Sequence, residues 1–273
     1  PGDSVWFVTG DATMSLIKHS LCVYFNQNLL DSCGVTDNMY DIVRNGKWTL
    51  DKLESIIKDT YSDLNGNSAS DNEDRFGLTF GDENKLRMVS AALDVNMYTK
   101  TKDGYDMTFI SERTNDVFTR MQKLITANEN VRQVLYNDPN GDSFMSFGGN
   151  SVSKIFTSGN SLFTASLVGD AAAVLDNSQF TVGMIPFPKY DEKQEKYYAN
   201  MANGEVMTLP RSYDADRLEN LGILLEAMSF YTYHNMLPVY KTELLQTKVA
   251  CDEDSSRMLD LIFDGVTYDF GVN

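Results

Sequence analysis

The stretch DLNGNSASDNED, residues 63–74, gathers the oxygen donors that a hard cation needs. Asp63, Asn65, Asn67, Asp71 and Asp74 stand at loop positions 1, 3, 5, 9 and 12, the oxygen spacing of an EF-hand calcium loop. Position 6 is Ser68 where that loop has glycine, and position 12 is Asp74 where it has the longer bidentate glutamate. Two readings are open: a structural calcium ion, or a solvated Asx-rich turn between a helix and a strand.

Other chemistry leaves fewer traces. The two histidines, His19 and His234, are far apart and lack a local partner. There is no GxSxG elbow, HExxH helix, Gly-rich phosphate loop or CxxC pair. A glycosidase needs only two carboxylates, but 39 acidic residues supply many such pairs by chance, so that signal is weightless alone. Cys22, Cys33 and Cys251 form an odd set without regular spacing, which is no disulfide framework. All three read as thiols, although the sequence leaves a Cys22–Cys33 pair open. The aromatic residues are more informative. Trp6, Trp48, Tyr98, Tyr105, Tyr197, Tyr198 and Tyr233 sit beside polar or glycine-containing segments. Aromatic faces in polar clefts stack on the apolar C–H faces of sugars while placed polar groups take the hydroxyls. For any single aromatic, packing in the core or its rim is the commoner role.

The net charge of −16 and pI near 4.4 disfavour nucleic acid and anionic membrane surfaces as partners. The length, 273 residues, suits one large unit or two compact ones. No apolar run is long enough to span a bilayer. The sequence opens at Pro1 with neither Met nor a signal segment, so any targeting peptide is expected to lie outside it.

The elements that would position these residues follow from periodicity. Strands are expected at 4–9 (SVWFVT), 20–25 (SLCVYF), 76–80 (FGLTF), 106–110 (DMTFI), 161–167 (SLFTASL), 180–187 (FTVGMIPF) and 205–210 (EVMTLP). A short amphipathic segment opens at Leu29 and Leu30 and stops at Gly34. A helix over 50–60 starts after Thr49 as N-cap and carries Leu50, Leu53, Ile56 and Ile57 on one face. A second spans 83–97 with Leu86, Val89, Leu93 and Met97 on one face. A third spans 114–127 and buries Val117, Phe118, Met121, Leu124 and Ile125. Beyond Pro210 the pattern becomes helical only, at 215–232, 240–247 and 254–264. Strands interleaved with helices give an α/β architecture.

Several segments then recur in a familiar order. SGNSLFTASL (158–167) is followed by FTVGMIPFPKYDEKQEKYY and MANGEVMTLP. Upstream stand VYFNQNLL (23–30), NGKWTLDKLESIIKD and DLNGNSASDNEDRFGL. This order resembles the family 1 extracellular solute-binding proteins of bacterial ABC importers, which are maltose-binding-protein-like. Asn26-Gln27 stands where that family usually has Asn-Lys.

The resemblance implies a two-lobed, periplasmic-binding-protein-like (type II) α/β fold, of which this chain holds mostly the second lobe plus helices of the first. Residues 1–12 would be an inter-lobe crossing strand, 13–208 the second lobe, and 209–273 the return crossing with helices of the first lobe. N-terminal segments of the first lobe and the C-terminal end would flank this sequence. The helices at 215–232 and 254–264 would then carry apolar faces that need a partner layer.

The implied function is the substrate-binding component of an ABC importer, holding a sugar or oligosaccharide between the lobes and delivering it to membrane permease subunits. The alternative is a glycoside hydrolase working through cleft carboxylates. The resemblance implies no catalysis, no required cofactor beyond the calcium considered above, a monomer without nucleic acid, and an extracellular lipoprotein on a Gram-positive cell. It places Thr9, Gly10 and Asp11 on the first crossing and Asn203, Gly204 and Glu205 on the second, all facing the cleft. Asp82 and Glu83, at a helix start, would bond sugar hydroxyls. Gly169 and Asp170 follow the SLFTASL strand where the family often places a ligand-stacking aromatic, which this sequence lacks.

Overall fold

Leu21–Asn26, strand β1, is buried at every residue. Its side chains alternate between two cores, as the pleat requires. Leu21, Val23 and Phe25 enter one apolar cluster, and Cys22 and Tyr24 enter the other. A strand buried on both faces reads as an unbroken apolar run and sits centrally in its sheet. The computed structural model describes residues 10, 12–80, 89–102, 104–133, 154–200, 207–208, 213–246 and 253–267.

The further strands are β2 (Phe76–Phe80), β3 (Tyr98–Lys100), β4 (Tyr105–Met107), β5 (Val131–Gln133), β6 (Ser161–Leu167), β7 (Val182–Pro186), β8 (Ala199–Asn200) and β9 (Val266–Thr267). Five of them form one mixed sheet in the order β5-β2-β6-β1-β7. β1 runs antiparallel to both neighbours, with Val23 opposite Ala165 on one side and Ile185 on the other. β2 is parallel to β5 and β6. Gly183 on β7 lies under the Phe25 ring, and a Cβ there would fall 2.0 Å from Phe25 Cζ. Only glycine lets that ring close over the strand.

One face of the sheet is covered by α2 (Gln27–Ser32), α3 (Met39–Arg44), α4 (Leu50–Ile57) and α5 (Glu112–Thr126). Their apolar residues, among them Leu30, Val43, Leu53 and Val117, share a cluster with Phe163 and Ile185. Each helix starts on a polar side chain that takes an unpaired backbone N–H. Asn26 accepts from Leu29, Asn38 from Tyr40, Thr49 from Lys52 and Ser111 from Thr114. The other face meets α6 (Lys154–Thr157) and α7 (Ala171–Asn177) through Phe156, Val174 and Leu175.

The Pro-Phe-Pro segment after β7 is stitched to the turn before α4. Trp48 Nε1 donates to Pro186 O at 2.9 Å, Lys189 N to Trp48 O at 3.0 Å, and Leu50 N to Lys189 O at 2.8 Å. Tyr197 Oη donates to Val43 O at 3.0 Å and accepts from Trp48 N. Burial pushes the Tyr197 phenol up to about 12, so it remains a donor. The charged loop between Lys189 and Tyr197 is thus pinned at both ends, and Phe187 is buried under it.

The structure departs from the sequence expectations at definite places. The helix expected over 83–97 ends near Ala92, where Asp94 takes a left-handed backbone (φ 59°) and Val95 N returns to Ser90 O. That is a Schellman close, which a short polar side chain tolerates; residues 81–88 lie outside the described set. In α5, Phe118 turns outward to meet the Phe109 ring edge-on at 5.7 Å, because Val117, Met121, Leu124 and Ile125 already fill the core stripe. DMTFI contributes only its first residues, which pair in the exposed β3–β4 hairpin. Helix α3 and the parallel β8–β9 pair were not expected. SVWFVT lies outside the described residues, as does EVMTLP except for Met207 and Thr208.

The C-terminal helices divide. They are α8 (Ala215–Tyr231), a π-turn (Thr232–Met236), α9 (Leu237–Gln246) and α10 (Glu253–Asp264). α10, expected with the first lobe, instead packs along the edge strand β7 and closes that edge of the sheet. Met258 joins one core cluster and Leu259 and Ile262 the other. Tyr40 Oη and Ser255 Oγ lie 3.2 Å apart, and Arg44 pairs with Asp254, fixing α10 to α3. α8 is the opposite case, with no buried residue along its length.

Candidate functional site

Of the residues expected at the cleft, Thr9, Asp11, Asp82, Glu83, Asn203, Gly204 and Glu205 lie outside the described residues. Gly10, Gly169 and Asp170 are described. Gly10 is half-buried ahead of α1 (Ser15–Lys18). Gly169 and Asp170 form the single 3-10 turn that carries β6 into α7.

That turn is held from below. The Tyr24 hydroxyl donates to Leu167 O at 2.8 Å, and Val168 N donates to Ser20 O at 2.9 Å. Asp170, expected at the ligand, is instead fully buried. Its Oδ2 accepts from Ser166 Oγ and from Leu167 N, so the carboxylate closes the turn. A Cβ at Gly169 would meet Lys18 O at 2.9 Å, so glycine lets the turn seat against the end of α1. Burial, then the nearby Cys22 and Asp170, raise the Tyr24 phenol well above its ordinary value. The same causes raise Tyr240 on α9, which covers this cluster. The turn is thereby tied to β1 through the Tyr24 hydroxyl and to the residue before β1 through Ser20 O.

A cavity of about 570 Å³ opens beside α1. Leu16 and Ile17 form one wall, Tyr233, His234 and Lys241 a second, and Phe263 a third. Asp264 and Val266 complete the rim. The π-turn that carries Tyr233 and His234 has a local cause. Pro238 has no N–H for the carbonyl of His234 and its ring would strike that carbonyl, so the helix widens just before it. Tyr233 is half exposed, His234 lies tilted against the Phe230 ring at 4.3 Å and edge-on to the Tyr233 ring at 5.0 Å, and Lys241 pairs with Asp260. The sequence reading placed Tyr233 among stacking aromatics but missed Phe263 and Lys241. The density of rings in FYTYHN was the available signal. A second, mainly apolar cavity of about 300 Å³ lies between Val89, Met97, Phe118, Met121 and Ile125.

The 63–74 loop is a set of interlocked Asx turns. Asp63 accepts from Gly66 N and Ser68 N, Asn65 from Asn67 N, and Asn67 from Ala69 N. Asp71 accepts from Glu73 N and from both Asn65 and Asn67 amides, and buried Asp74 from Leu64 N, Asp71 N and the Tyr61 hydroxyl. Ser68 takes the left-handed backbone (φ 61°) that the calcium loop gives to its glycine. Among the described residues, no group of three or more His, Cys, Asp or Glu side chains is placed to hold a metal ion. Cys22 is a buried thiol and Cys33 an exposed one, not joined to each other; Cys251 lies outside the described residues.

No known family profile matches the sequence, and no curated protein matches it. Solved structures do match. The galacto-N-biose/lacto-N-biose I-binding protein of an ABC transporter from Bifidobacterium longum, in complex with lacto-N-biose, is 12% identical with a TM-score of 0.60. The match covers 100% of this chain and 63% of that protein. The maltose/maltodextrin-binding domain from Bdellovibrio bacteriovorus, bound to maltotriose, is 12% identical with a TM-score of 0.54, over 96% of this chain and 61% of that one. UspC of M. tuberculosis is 14% identical with a TM-score of 0.56, over 98% and 66%. The chain therefore spans less than two thirds of the length of these neighbours. Within that span it has the α/β fold of the two-lobed, type II periplasmic-binding-protein-like structures.

Proposed function

We propose that this chain belongs to the substrate-binding component of an ABC importer and contributes to holding a sugar or oligosaccharide between two lobes. The observation that carries the reading is the fold match along the whole chain to binding proteins, two of them solved with sugars bound. The ordered segments of the sequence point the same way. Closure of the lobes on the ligand would present a shaped surface to the permease. Delivery to permease subunits, an extracellular or lipid-anchored location and a monomeric state belong to this proposal. Among the described residues no helix is long and apolar enough to cross a membrane.

A thermal-shift screen of the intact protein against defined oligosaccharides tests it, since a ligand that binds only the folded state raises the melting temperature. Stabilisation by at least one sugar, without turnover, is expected. Turnover of an aryl-glycoside panel that is lost on replacing Asp11 or Glu205 would favour the hydrolase alternative.

A further inference from the structure

We propose that the cavity between α1, the π-turn and the end of α10 is a stacking subsite for one ring of the carbohydrate ligand, with Tyr233 as its aromatic platform. The proposal rests on the binding-protein reading above and says where the ring sits. Three observations carry it. The first is position. Leu16 and Ile17 on one wall closely follow Gly10, the described part of the expected first crossing. On another wall, Val266 pairs with Ala199, just ahead of the expected second crossing at 203–205. The cavity therefore gathers residues that are near in sequence to both expected crossings.

The second observation is chemistry. The turn at 168–170 has no aromatic residue and buries its one carboxylate. The cavity supplies what that turn lacks: the half-exposed Tyr233 ring and the Phe263 edge for the C–H face of a pyranose, with His234, Lys241 and Asp264 beside them for hydroxyls. Lys241 pairs with Asp260 and its ammonium lies over the Phe263 ring, 5.1 Å from the centroid. The third is backbone geometry. The Pro238-driven π-turn sets Tyr233 and His234 out of the regular helical register, a distortion that recurs at functional sites. At about 570 Å³ the space lies within the range of small-molecule sites, about 300–1,000 Å³.

The test is calorimetric titration of the intact protein with maltotriose, raffinose and lacto-N-biose, for wild type, Tyr233→Ala, Tyr233→Phe and Phe118→Ala. Tyr233→Ala should weaken the bound sugar about tenfold or more, Tyr233→Phe should stay within about threefold, and Phe118→Ala, in the other cavity, should not change it. Amide exchange over 232–241 should slow on adding that sugar. A sugar bound equally by wild type and Tyr233→Ala, with no added protection over 232–241, would overturn the subsite and leave the binding function standing. Failure of wild type to bind any of the three would count against both. A fall in melting temperature of Tyr233→Ala without sugar, with unchanged affinity, would mean that the ring packs against another part of the protein and would also overturn the subsite.

Discussion

Trp48 shows how much one side chain does here. It is buried, its indole N–H reaches Pro186 O, and its own backbone receives Lys189 N. Trp48→Phe keeps most of the apolar volume but leaves Pro186 O without that donor. The expected loss is about 1–3 kcal/mol, measurable by urea titration, with an unchanged m-value. Asp71 titrates in the other direction from the phenols. The Glu73 N–H, then the Asn67 and Asn65 amides, hold its carboxyl below the ordinary value. A depressed carboxyl contributes stability above its unfolded value and loses it as pH falls through the lower folded value. Protection of the Glu73 amide, relative to its intrinsic exchange rate, should therefore fall only at pH below the ordinary carboxylate range, and Asp71→Asn should abolish that dependence. Chelator tests whether these turns suffice: an unchanged melting temperature would leave the Asx turns as the loop's support. A fall restored by calcium would instead make Asp63, Asn65, Asn67, Asp71 and Asp74 metal ligands. None of this was separable in the sequence, where a liganding oxygen and an Asx-turn oxygen are the same atom. Asp170 illustrates the same limit. A carboxylate just after a strand reads alike whether it faces a ligand or closes its own turn.

At the scale of elements, the strands β1, β2, β6 and β7 were legible because each is buried along most or all of its length and so reads as an apolar run bounded by polar or glycine residues. Short pieces whose existence depends on distant partners were not. β8 and β9 are two residues each and pair across the chain, and α3 is only six residues between capping Asn38 and the left-handed Gly46. The amphipathic pattern of 254–264 announced that α10 needs a partner layer but not which one, and the layer turned out to be β7 and its neighbours. Ile262→Ala should therefore cost about 2–5 kcal/mol, as for a buried core residue. Leu224→Ala on α8, at 54% exposure, should change the stability of this chain by no more than about 0.5 kcal/mol. Denaturant midpoints of the two variants compare the helices directly. Equal losses would show that α8 is packed as firmly as α10.

The whole molecule joins a well-packed mixed sheet to a helix whose later part, 221–231, is largely apolar and uncovered. Ile223, Leu224, Met228, Phe230 and Tyr231 are all exposed on α8. Leu224, Met228 and Tyr231 follow one another at helical spacing, and an exposed apolar stripe of that kind marks a contact surface. The chain spans 63% of the length of its Bifidobacterium longum neighbour, and the uncovered face of α8 is where the rest of the proposed first lobe would pack. The claim that most needs testing is sugar binding itself. Calorimetric titration of the intact protein with a panel of defined oligosaccharides addresses it most directly. The account predicts saturable, one-to-one binding of at least one oligosaccharide with no product released. A panel that yields no binding heat, or a sugar consumed during the titration, would contradict it.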